Sequence, residues 1–138
     1  MGMPRDPDAR RYYRAGKQRL AEAELILGQV KLPAASVYLA GYAAECLLKS
    51  VLVERTPEVE RPALLAGMKN EFGHNLARLR AGLVWRGVRV PAGVASALAF
   101  LSRWSPELRY DPGPGNANTA SRFLAATARV VAWADGNL

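Results

Sequence analysis

Cysteine, histidine and long apolar runs are all scarce in this chain. The single cysteine, Cys46, cannot close a disulfide within the chain, and with a single histidine, His74, it cannot build a Cys/His metal site. Zinc would need aspartate or glutamate ligands or a second subunit, so no metal and no other cofactor is expected. No apolar stretch approaches the ~18 residues of a membrane span. The N-terminus carries proline, aspartate and arginine and lacks the apolar segment of a secretory leader. The expected compartment is the cytoplasm, with no membrane partner. Acid is scarce too. Twelve Asp and Glu stand against 19 Lys and Arg, giving a net charge of +7 and a pI near 10.1. That balance favours an anionic partner, whether nucleic acid, nucleotide or acidic protein, although a solvated arginine-rich surface accounts for the charge equally well.

What is present is apolar and helical in pattern. Half of the 138 residues are hydrophobic, enough for one domain over residues 1–138 with a core of about 9–134. Asp6 is placed to cap a helix and Pro7 to fill its first turn. Ala9, Tyr13, Gly16, Leu20, Ala23, Leu27 and Val30 follow at steps of four and three, the seam of a packed helix. Gly28 and Pro33 end it. A second helix over about Pro33–Glu54 carries the seam Val37, Gly41, Ala44, Leu48 and Val51. It is rich in small residues that let a neighbouring helix approach, which predicts a central position. Prolines and glycines break residues 55–73, leaving a short helix near Pro62–Lys69.

A third helix is predicted at about Asn75–Trp85 and a fourth at about Pro91–Trp104. Residues 105–118 hold three prolines and two glycines, which predicts a loop without helix. A last helix, capped by Asn118 or Thr119, runs to about Ala134. The fold class is therefore all-α, a bundle of four main helices plus a short extra one. The last helix is apolar over a wide arc from Phe123 through Val131 and Trp133. Burying that surplus across a two-fold axis predicts a homodimer.

Three pieces stand out for chemistry. Tyr38, Tyr42, Glu45 and Lys49 form an amphipathic stripe beside the seam of the second helix. Glu45 and Lys49 have the spacing and order of a helical ion pair, and the stripe reads evenly as a stabilising pair or as scaffold for a site. Gly73-His74-Asn75-Leu76 opens the third helix. Arg109, Tyr110 and Asp111 lie in the Pro/Gly-rich loop, where Asp111 either joins a site or braces Arg109. Basic residues gather in two places. Arg10, Arg14 and Lys17 share a face of the first helix. Between Glu71 and Glu107 no acid occurs, while Arg78, Arg80, Arg86, Arg89 and Arg103 do. Trp85 and Trp104 are interleaved there. Arginine with aromatics suits single-stranded nucleic acid, but large aromatics are usually buried, so both tryptophans are expected in the core or a dimer interface. Gly113-Pro-Gly115 lacks the Lys-Ser/Thr of a phosphate-binding loop.

In their order and spacing, the Tyr38–Lys49 stripe, Gly73-His74-Asn75-Leu76 and Arg109-Tyr110 resemble bacterial members of the HEPN superfamily. The resemblance covers roughly residues 9–134. It implies a small helical bundle that dimerises. It also implies an association with RNA or nucleotides, or a partnership with a nucleotidyltransferase in a toxin–antitoxin pair. Active members of that superfamily are metal-independent ribonucleases with an Arg-x(4–6)-His motif. Here the positions after Arg109 hold Pro114, Gly115 and Asn116, and those before His74 hold Lys69, Met68 and Gly67. The motif is absent as written.

The leading expectation is therefore a catalytically degenerate binding module for RNA, nucleotide or a protein partner, using Arg10, Arg14, Lys17, Arg78, Arg86 and Arg89. The alternative is an endoribonuclease. In it His74 acts as acid or base, and Arg109, with Tyr110 beside it, stabilises the phosphate charge. A third reading is a structural partner protein without an anionic ligand.

Overall fold

The structure is a computed structural model that describes residues 2–110 and 112–138, without the side chains of Glu71, Phe72, Pro106 and Arg109. Among the described residues there is no strand. Six α-helices follow one another: α1 (Pro7–Leu25), α2 (Pro33–Arg55), α3 (Arg61–Gly67), α4 (Leu76–Trp85), α5 (Ala92–Leu101) and α6 (Ala117–Asp135). The all-helical bundle expected from the spacing is what forms.

α1 begins as its sequence predicts. The Asp6 carboxylate accepts from the Asp8 and Ala9 amides, both at 2.9 Å, satisfying donors that the first turn leaves open. The other Asp6 oxygen takes Arg61 Nη1 at 3.0 Å. Arg61 also caps the end of α2. Its Nε donates to the carbonyls of Val53 and Thr56 at 3.0 and 2.9 Å, and its Nη2 to that of Glu54 at 3.2 Å. One guanidinium thus ties the start of α1, the end of α2 and the start of α3 together. The end of α1 widens into a π-turn over Ile26–Val30, and Lys31 in the left-handed region (φ 59°) reverses the chain into α2.

α2 is central. Thirteen of its 23 residues are buried, so it has no solvent face over most of its length. It packs against α1, α4 and α6. Leu47, Leu48, Val51 and Leu52 meet Leu79 and Leu83 of α4, Leu98 and Leu101 of α5 and Val130 of α6 in one core. Each such side chain contributes about 1.5–3 kcal/mol by leaving water. The small residues of α2 also bring polar groups within reach of its neighbours. Ser50 and Ser36 donate to the α1 carbonyls of Ala9 and Ala23 at 2.7 and 2.8 Å, and Thr127 of α6 donates to the Ala40 carbonyl at 3.3 Å. By length and composition α2 could cross a membrane, the one helix among the described residues that could. Its burial inside the bundle accounts for that apolar character.

Three expectations need correction. Gly41 does not admit a helix. It seats the Trp104 indole, which a Cβ at position 41 would strike, and Trp104 Nε1 donates to the Tyr38 carbonyl at 3.1 Å. Trp85 is 76% exposed on α4, which leaves the dimer interface of the two places expected for it. Residues 105–118 are not free of helix, since Pro106–Tyr110 forms a 3-10 turn, tolerated because a proline at a helix start gives up no needed donor. α6 starts earlier than expected, because Asn116 rather than Asn118 or Thr119 is the cap, accepting from the Thr119 amide at 3.0 Å. The wide apolar arc of α6 is also largely covered within the chain. Phe123 and Val131 are buried, and Trp133 is half-buried with its Nε1 donating to the Arg89 carbonyl.

Candidate functional site

The stripe on α2 is a connected unit that runs from the interior to the surface. Tyr38 and Tyr42 meet edge to face with centroids 5.0 Å apart, and Tyr42 meets Trp104 the same way at 4.8 Å. One turn further, Glu45 and Lys49 form an ion pair of 2.8 Å, Lys49 Nζ to Glu45 Oε2, with side chains only 4% and 7% exposed. Lys49 Nζ also lies 5.5 Å from the centre of the Tyr12 ring of α1, a weak cation–π contact that helps replace lost water.

The second Glu45 oxygen does not point into apolar space. Oε1 lies 3.1 Å from Nδ1 of His74. His74 closes a 3-10 turn, Glu71–His74, just before Asn75 caps α4. Gly73 sets that turn, because a Cβ there would run into the Met68 backbone. A carboxylate already accepting from Lys49 can only accept from His74 as well, so the contact requires the proton on Nδ1. The His74 side chain is 42% exposed. This is the arrangement of a general base held by an orienting carboxylate.

The rest of the expected catalytic set falls largely outside the described residues. The side chain of Arg109 and all of Asp111 lie outside them. Tyr110 is exposed. The one cation that contacts the Glu45–His74 pair among the described residues is Lys49, and it is buried on the far oxygen of Glu45. Among the described residues, no three histidine, cysteine, aspartate or glutamate side chains gather as a metal-ligand set. Cys46, next to Glu45, has its thiol pushed up to about 11, by burial first and by the neighbouring carboxylate second. It is therefore a poor nucleophile near neutral pH.

The predicted basic residues divide. Arg10 is engaged by the carbonyls of Pro4 and Arg5. Lys17 pairs with Asp135 at 3.0 Å, a hydrogen bond that holds its ammonium charged beyond its ordinary range. Arg86 pairs with Glu60 at 2.8 Å, which draws that carboxyl below its ordinary value, and lies 4.6 Å from the centre of the Trp85 ring. Arg14, Arg78 and Arg89 are exposed without a carboxylate partner among the described residues.

Beside Trp85 runs a groove of about 410 Å³ lined by Ala77, Arg80, Ala81 and Val84. A further pair, Arg122 and Arg129, borders a groove between α5 and α6. Sequence reading passed over both, since they sit in an otherwise apolar helix; the signal available was the absence of any acid from 112 to 134. Comparison with family models, with characterised proteins and with solved structures finds no match.

Removing one half of the buried pair should be far more damaging than removing the exposed imidazole. Glu45→Gln leaves an ammonium without a counter-charge and should lower unfolding stability by about 3–5 kcal/mol. His74→Ala should cost less than about 1.5 kcal/mol. Urea denaturation of both variants checks this; equal losses would show that Glu45 serves His74 rather than Lys49.

Proposed function

We propose that the protein is a binding module for single-stranded RNA, without ribonuclease activity of its own. The observation that carries this reading is the charge of the α4–α6 side. Residues 72–138 hold eight arginines against three acids, and so five of the seven net positive charges of the chain. Of those acids, Asp135 is already neutralised by Lys17 of α1. Such a surface favours phosphates through counterion release, whatever the base sequence. The exposed Trp85, with Arg80 beside it and Arg86 over its ring, adds an aromatic surface on which a base can stack. Degeneracy follows from the missing Arg-x(4–6)-His spacing and from the lack of a surface cation against His74 among the described residues.

A second reading, a metal-independent endoribonuclease, is favoured by one observation. Glu45 holds His74 through Nδ1, and the His74 side chain is partly exposed. A filter-binding series with labelled oligo(U) tests the first reading. Binding at low salt should weaken with a log–log slope of about −0.7 for each phosphate contacted, and Arg78→Glu with Arg89→Glu should lower it further. The RNA should remain intact in EDTA. Absence of binding at low salt would remove the module. Cleavage in EDTA that His74→Ala abolishes would promote the enzyme.

Homodimerisation belongs to the same proposal. The α6 arc is mostly covered, but Leu25, Val30 and Leu32 at the α1–α2 tip are 55%, 57% and 50% exposed. Three neighbouring apolar side chains at one end are a surface a second copy can bury. Light scattering should give twice the 15.0 kDa chain mass, and Val30→Asp should halve it; a 15.0 kDa particle at micromolar concentration contradicts the dimer. An acidic nucleotidyltransferase partner is a further occupant of the cationic side, proposed on charge alone.

A further inference from the structure

The groove between α5 and α6 holds about 300 Å³ and is built in two materials. Its floor is apolar, made by Ala97, Ala125, Ala126 and Phe100, and its rim carries Arg122, Arg129 and Ser96. Arg122 lies 4.8 Å from the centre of the Phe100 ring, and Arg103, from the end of α5, lies 5.3 Å from the same ring. The ring holds both guanidiniums near one orientation, which reduces the ordering cost of a contact they make later. None of the three arginines has a carboxylate partner among the described residues. Neighbouring like charges without a counter-ion repel, and an anion seated among them removes that repulsion.

The spacing selects the anion. Arg122 and Arg129 are seven residues apart on one face of α6, so they stand about 10 Å apart along its axis. Two guanidiniums set along an axis at that spacing can each take a phosphate of one chain. The alanine floor favours a ligand that also presents a flat apolar surface, which a splayed base does and a duplex backbone does not. Resting on the RNA-binding reading above, we infer that this groove seats a single-stranded stretch of nucleic acid. Its phosphates lie along Arg103, Arg122 and Arg129, and a base lies on the alanine floor. The groove is the anchoring site of the cationic side, and α4 adds a second contact.

The test titrates labelled oligo(U) against the intact protein across a salt series. Three variants join wild type: Arg122→Gln with Arg129→Gln; Ala125→Glu, which puts a carboxylate in the groove and leaves every arginine in place; and Arg78→Gln on α4 with Arg89→Gln between α4 and α5. Circular dichroism confirms that each is folded. The groove pair should reduce the salt slope by about 1.4 and weaken binding about tenfold or more. Ala125→Glu should weaken binding as strongly, and the Arg78 and Arg89 pair less than either. Wild-type binding that both groove variants leave unchanged overturns the groove and spares the RNA-binding reading. A wild type that binds no RNA overturns that reading itself. Displacement of oligo(U) from the groove by polyglutamate of equal charge, at equal concentration, would assign the groove to an acidic protein segment instead.

Discussion

A helix surrounded by protein on nearly all sides must leave its charges outside or neutralise them. α2 does the second. Glu45 and Lys49 are 3% and 5% exposed, and taking two ions out of water costs several kcal/mol each unless each finds the other in good geometry. At 2.8 Å they do. A salt bridge of this kind adds little net stability over two apolar residues, but it makes the position exacting. Once both charges are inside, the remaining lone pairs of Glu45 also require a donor, and the site where a donor can reach them is the turn before α4. The placement of His74 follows from that demand.

The same helix explains how the molecule separates its two surfaces. Because α2 fills the middle, α1 lies on one side and α4, α5 and α6 occupy the others. Most of the carboxylates belong to the first half of the chain, where they serve as caps and ion pairs: Asp6 with Arg61, Glu54 with the Arg5 and Asp6 amides, Glu22 with Arg19. The later helices have few acids to offer their arginines. The excess of positive charge on the later helices is thus a direct result of where acid is missing in sequence.

Much of this could be read before folding. Asp6-Pro7 announced α1, the four-three seams placed α1 and α2, and the run of small residues marked α2 as central. The Tyr38–Lys49 stripe was visible as one helix face. Its long-range partners were not. Periodicity reports neighbours within a few turns, whereas Trp104 reaches Tyr38 across 66 residues and His74 reaches Glu45 across 29. A small residue such as Gly41 reads the same whether a helix or an indole fills the space. For Trp85, burial statistics offered the core or an interface, and its position on α4, which turns it outward beside Arg86, removes the core. Arg122 and Arg129 escaped notice for a different reason. A pair two turns apart in an apolar helix makes no charge run, and the groove it borders appears only once α5 packs against α6.

The dependence of His74 on Glu45 is most directly measured by the ring nitrogens themselves. Long-range nitrogen–proton correlation spectra of the protein labelled with nitrogen-15 report which nitrogen of the neutral imidazole carries the proton. With Glu45 ionised by Lys49, the proton belongs on Nδ1, Nε2 shows the shift of a bare acceptor, and Glu45→Gln disturbs both signals. A neutral ring protonated on Nε2, unchanged in that variant, would mean that Glu45 does not hold His74 and that the buried pair ends at Lys49.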